Sequence, residues 1–216
     1  SYDNQIKMFD AKGKIVNGFS PDNFSSDIIK SPVHIRIDGK DYIVIQLENG
    51  DLKILNRRGE DRIVVENKIQ YNDNTVYSYL GSFTTSDNQG NLIQIDTNGN
   101  FKRNNLNLSE NSMINIFDDK LIYISEDILS IKGIDVKLPV GRYSKPKIFN
   151  ISRNFFVGTT DLNDNNIYLF NDSGELVKGF PLKGSSSYDL IDSDMDGKLE
   201  IISKIDNFSI VSYEIN

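Results

Sequence analysis

The most constraining feature of this sequence is a short strand signal that keeps returning. A polar residue followed by an apolar one opens a run at Gln5-Ile6, Asp51-Leu52, Asn91-Leu92, Asp127-Ile128, Asn166-Ile167 and Asn207-Phe208, at spacings of 36 to 46 residues. The runs alternate apolar and polar residues, as in "LKIL", "LIQI" and "IYLF", and helical periodicity is hard to find. Several runs end alike, in "MFDAKG", "ILNRRG", "QIDTNG" and "LFNDSG". There Asp or Asn starts a turn through its side chain and Gly supplies a positive φ.

A repeat near 40 residues made only of strands predicts a β-propeller, in which each blade is a four-stranded antiparallel sheet. A lone blade leaves its faces uncovered, so neighbours must stack. The first unit is expected as strands at 32–37, 41–47, 51–56 and about 62–65. Less regular units follow at about 70–108 and 112–140, and a clear one at about 145–182. The last begins near 186 and stops after its third strand. Residues 1–216 are read as a single propeller domain, either whole or a fragment of a longer chain. The N-terminus supplies a strand at 5–10 and another at 14–19. The second could complete the last blade and close a ring of five. Alternatively, further blades lie upstream and the parent propeller is larger.

Composition narrows the function. Charged residues make up 25% of the chain and the formal net charge is −7, so phosphate-rich partners are repelled and nucleic acid is not expected. No apolar run reaches membrane-spanning length, so no membrane insertion is expected. The absence of cysteine removes disulfides, thiol nucleophiles and cysteine-ligated metals. The absence of tryptophan, beside ten Tyr and twelve Phe, lowers the prospect of a sugar-stacking cleft. His34 is the single histidine and reads as structural. Arg57-Arg58 and the cluster Arg142, Tyr143 and Lys145 read as solvated turns. Asp161, Asn163, Asp164 and Asn165 read as a long hairpin turn or a weaker second cation site.

One stretch carries a specific chemical signal, "YDLIDSDMDGKLEIIS". Asp192, Asp194 and Asp196 alternate through a turn, Gly197 permits a sharp bend, and Glu200 follows. Calcium takes six to eight hard oxygen ligands, and such a loop can wrap it. Lys198 would offer its backbone carbonyl. An EF-hand places a Glu at the twelfth position, where this chain has Ser203, so this is a different loop. The alternative is a solvated acidic turn.

This stretch resembles the FG-GAP or VCBS-type repeat of bacterial surface proteins and integrin-like propellers, whose motif runs Asp-x-Asp-x-Asp-Gly-x-x-Asp/Glu into an apolar strand. The resemblance is close over residues 166–214 and looser over residues 1–60. It implies a structural calcium held by Asp192, Asp194, Asp196, Lys198 and Glu200. It also implies a binding or scaffold module at the cell surface, in the periplasm or secreted, with a protein or glycan partner. The other units carry bare turns such as "RIDGKDYI" and "IFDDKLIYI". A glycan-acting hydrolase with two axial carboxylates is the alternative function.

Overall fold

The computed structural model describes residues 5–151, 154–185 and 188–215. Among them every regular element is a strand, and the strands form five antiparallel sheets in chain order. The first blade contains β1 (Val33–Ile37), β2 (Lys40–Gln46), β3 (Leu52–Leu55) and β4 (Asp61–Ile63). The second contains β5 (Tyr77–Tyr79), β6 (Ser82–Ser86), β7 (Asn91–Ile95) and β8 (Phe101–Asn105). The third contains β9 (Met113–Phe117), β10 (Lys120–Ser125), β11 (Ile128–Ile131) and β12 (Ile134–Lys137). The fourth contains β13 (Lys147–Ile151), β14 (Asn154–Asp161), β15 (Asn166–Asn171) and β16 (Leu182–Lys183). The last contains β17 (Tyr188–Ile191), β18 (Leu199–Lys204) and β19 (Ile210–Ile215). In each sheet every strand pairs with the next in sequence. The expected units, including the last that stops after its third strand, match these sheets.

The chain divides into two compact units, Ser1–Asn111 and Ser112–Asn216. In the first unit, the first two blades bury one core. Ile35, Tyr42, Val44 and Ile54 meet Phe83, Ile93 and Ile95. The Tyr42 and Phe83 rings meet edge-on at 4.9 Å. The opposite face of the first blade, Ile43, Ile45, Leu47 and Leu55, packs against Ile6, Met8, Phe19, Phe24 and Ile28. This two-sided cover explains why "YIVI" is apolar at every position. Side chains of both parities are buried, as in a strand inside a stack. The exposed fourth strands, such as "FKRNN" in β8, are correspondingly polar.

The N-terminal segment forms its own hairpin, with Phe9 bridging Ile15 and Val16 N–H donating to the Met8 carbonyl at 2.8 Å. Residues 5–10 and 14–19, expected as strands, meet in this one bridge and form no regular strand. Among the described residues the last sheet has the three strands β17–β19. In the second unit, Ile122, Ile124 and Leu129 of the third blade pack with Val157, Tyr168 and Phe170 of the fourth. The fourth and last blades share Phe149, Ile167, Leu169, Tyr188, Leu190 and Ile201.

The repeated turns form as their residues require. Asp10, Asn56, Asp96 and Asn171 each accept backbone N–H bonds from two and four residues ahead. These are side-chain-led turns of one design, used in the N-terminal hairpin and in three blades.

Candidate metal centre

The acidic loop joins β17 to β18, the first two strands of the last blade. In three other blades this connection has two residues: Asp38-Gly39, Leu80-Gly81 and Asp118-Asp119. All of these residues have positive φ, as a type I′ hairpin turn demands. In the last blade residues 192–198 replace that turn. Alignment of Asp38-Gly39-Lys40 with Asp196-Gly197-Lys198 makes the difference a two-residue insertion and an opened ladder. The last ladder pair, Ile191↔Glu200, is the counterpart of Ile35↔Tyr42. The two further pairs of the first blade, Arg36↔Asp41 and Ile37↔Lys40, have no equivalent.

The opened loop folds on its own polar groups. Glu200 Oε2 accepts from the Ser193 N–H at 2.7 Å and from its hydroxyl at 2.8 Å. Asp192 Oδ2 accepts from Gly197 N–H at 3.1 Å, and Asp194 Oδ1 from Asp196 N–H at 3.2 Å. Gly197 has φ +88°, and a Cβ there would meet nothing within 4 Å. Glycine is required by the backbone angle, not by crowding.

Three of the five expected ligand residues converge. Asp192, Asp194 and Glu200 each place a carboxylate oxygen within 4.8 Å of the others'. They form the one such grouping of three or more acidic or histidine side chains among the described residues. Glu200 is buried, whereas both aspartates are exposed. Asp196 stands apart from the group. Its Oδ1 accepts from Lys198 N–H at 2.8 Å, and its Oδ2 lies 3.8 Å from Lys198 Nζ. The Lys198 ammonium donates to Glu214 Oε2 of β19 at 2.8 Å. That bond and the Glu214 charge hold the Lys198 amine above its ordinary range. Sequence reasoning missed Ser193, which no motif position marks.

The donor set fits calcium. Ca–O bonds of about 2.3–2.6 Å let two ligands of one ion lie up to about 5 Å apart, a span that contains the observed grouping. The donors are hard oxygens, and the carboxylates of the loop and Glu214 outnumber its one ammonium. The remaining sequence candidates have local roles. Asp161 is buried and accepts from Asn163 N–H at 2.9 Å in the β14–β15 turn. The Tyr143 hydroxyl donates to the Pro139 carbonyl at 2.7 Å, and burial pushes its phenol up. His34 and Arg57 both reach Asp41, a convergence that their sequence positions do not announce.

Comparison with known proteins speaks to the fold. No family model matches the sequence, and no curated protein matches it. Solved structures do match. BBS1N in complex with ARL6DN superposes with a TM-score of 0.61 at 14% identity, over 94% of this chain and 69% of that one. The computationally designed Ika8 protein gives 0.60 at 13% identity, over 99% of this chain and 66% of that one. BamB from Moraxella catarrhalis gives 0.51 at 17% identity, over 85% of this chain and 56% of that one. This chain thus spans between about half and about two thirds of their lengths. BBS1N and BamB are β-propellers. With its antiparallel sheets following one another in chain order, this chain has the all-β architecture of β-propeller blades.

Proposed function

We propose that this chain is a non-enzymatic binding or scaffold propeller, a single domain over residues 1–216, fastened in its last blade by one calcium ion. The observation that carries the reading is the convergence of Asp192, Asp194 and Glu200 in a loop between two strands. Those three carboxylates would hold the ion. Asp196 and the Lys198 backbone carbonyl are the further candidates. For the Asp196 carboxylate, ligation by Oδ1 means giving up the bond from Lys198 N–H. Calcium would neutralise the loop's repulsion and tie β17 to β18, a structural role.

The strand–loop–strand setting and the Asp-x-Asp-x-Asp-Gly-x-x-Glu spacing support an FG-GAP or VCBS-type repeat. A loop of this kind suits a compartment rich in calcium, so the protein is placed at the cell surface, in the periplasm or outside the cell. The partner is a protein or a glycan. A propeller of similar fold, BBS1N, is known in complex with ARL6DN, which supports protein binding.

Thermal melts in EDTA and in millimolar calcium test the calcium site. A ligand at about a hundred times its dissociation constant adds about 2.7 kcal/mol. For a chain of this length that is about 5–10 °C. The shift should vanish in Asp194→Asn. Coincident melts of the parent protein in the two buffers would overturn the reading.

A further inference from the structure

The first blade gathers more positive charge than its own folding uses. Asp41 is the second residue of β2, and its side chain is 8% exposed. A carboxylate so placed needs a partner. Asp41 has several. His34 Nε2 lies 2.9 Å from its Oδ1, Arg36 Nη1 lies 3.3 Å from the same oxygen, and Arg57 Nη2 pairs with its Oδ2. A third guanidinium, Arg62, donates to the Asp41 backbone carbonyl at 3.1 Å and lies 5.0 Å over the Tyr42 ring.

Of the neighbouring acids, Asp61 pairs with Lys53 at 2.8 Å, whereas Glu60 accepts from the neutral Asn56 side chain at 2.8 Å and keeps its charge. With the Lys53–Asp61 pair set aside, Arg36, Lys40, Arg57, Arg58 and Arg62 at this end of the blade outnumber Asp38, Asp41 and Glu60 by five to three. The Arg36 and Arg57 side chains are 61% and 71% exposed. Each guanidinium carries five N–H donors in a planar fork that matches an oxyanion, and Asp41 uses only part of that capacity. This surplus is local, on a chain of net charge −7.

We propose that Arg36, Arg57 and Arg62 form a binding site for an oxyanion, carboxylate or phosphate, at the end of the first blade where β1 turns into β2 and β3 into β4. Asp41 is the positioning residue. It draws arginines from β1 and from the β3–β4 turn to one point, which reduces the ordering cost of binding. The site is independent of the calcium loop.

NMR of the arginine Nε–Hε groups, at constant ionic strength, tests it with two probes. Inorganic phosphate represents one source of the oxyanion, and N-acetylglutamate the other. The expected result is saturable shifts of Arg36 and Arg57 with at least one probe, and the stronger binder identifies the source. Arg57→Gln should weaken that probe about tenfold or more, the loss of a charge-assisted hydrogen bond. Lys178→Gln, at an exposed lysine in the fourth blade, should leave it unchanged. Linear, unsaturated shifts with both probes, or unchanged affinity in a folded Arg57→Gln, would overturn the proposal. Should Arg57→Gln fail to fold, the titrations of the parent protein decide alone.

Discussion

The first and last blades make the same hairpin and finish it with opposite charge. In the first, β1 turns into β2 through two residues, and the carboxylate just past the turn, Asp41, is surrounded by His34, Arg36 and Arg57. In the last, two inserted residues and an opened ladder leave a connection of seven residues, 192–198, in which carboxylates face one another. The strands beneath keep step. Alignment on the shared Asp-Gly-Lys puts Ile43 opposite Ile201, and both point into the core shared with the preceding part of the chain. It also puts Asp41 opposite Leu199, a residue packed against that core in the last blade. The packing of the hairpin tolerates either ending, so the charge of the turn is free to serve binding.

Core substitutions should test this shared chassis with the largest effect. Ile43→Ala and Ile201→Ala each remove a buried side chain and should cost about 2–5 kcal/mol in denaturant unfolding. A cost below about 1 kcal/mol at either would break the equivalence of the two hairpins.

Calcium should give the next largest effect, and only through the last blade. Asp192→Asn and Asp194→Asn should each remove the calcium-dependent stabilisation of about 2.7 kcal/mol expected at a hundred times the dissociation constant. Asp196→Asn should reduce it less, because that carboxylate lies outside the converging group. Equal loss in all three variants, measured by melts across a calcium series, would mean that the loop closes around the ion with Asp196 as a full ligand.

Acid should act on the first blade through Asp41. Burial pushes Asp41 up, but the His34 hydrogen bond and the Arg57 and Arg36 charges outweigh it and leave the group below its ordinary value. A depressed carboxylate contributes stability that is present above its unfolded value, about 3.9, and is lost as pH falls through the folded one. Melting temperatures recorded downward from pH 5 should therefore fall more steeply in the parent protein than in Asp41→Asn. Parallel curves would remove Asp41 from the account.

The smallest effect should come from Lys198→Gln. It deletes an exposed ion pair with Glu214 and leaves the backbone carbonyl in place. Stability in EDTA should hardly change, and calcium dependence should survive. Loss of calcium dependence would show that the ammonium, not the carbonyl, organises the loop.

What could be read in the sequence is what acts locally. Strand alternation, the Asx-Gly turns at Asn56, Asp96 and Asn171, and the acidic loop each lie within a dozen residues. Their φ angles and hydrogen bonds follow from residue type. What could not be read depends on distant parts of the chain meeting. Arg57 reads as a solvated turn residue until the β3–β4 turn places it beside Asp41, and residues 5–10 and 14–19 read as strands although they meet in one isolated bridge. Within the loop, the spacing nominated Asp196 as readily as Asp194. The choice rests on which backbone N–H each side chain accepts, a matter of loop conformation that composition leaves open.

The most direct measurement is the calcium content of the folded protein after equilibrium dialysis against micromolar to millimolar calcium, for the parent chain and for Asp194→Asn. The account predicts saturation at one ion per chain, lost in the variant over the same range. No saturable binding by the parent, or an ion retained equally by a variant lacking both Asp194 and Glu200, would contradict it.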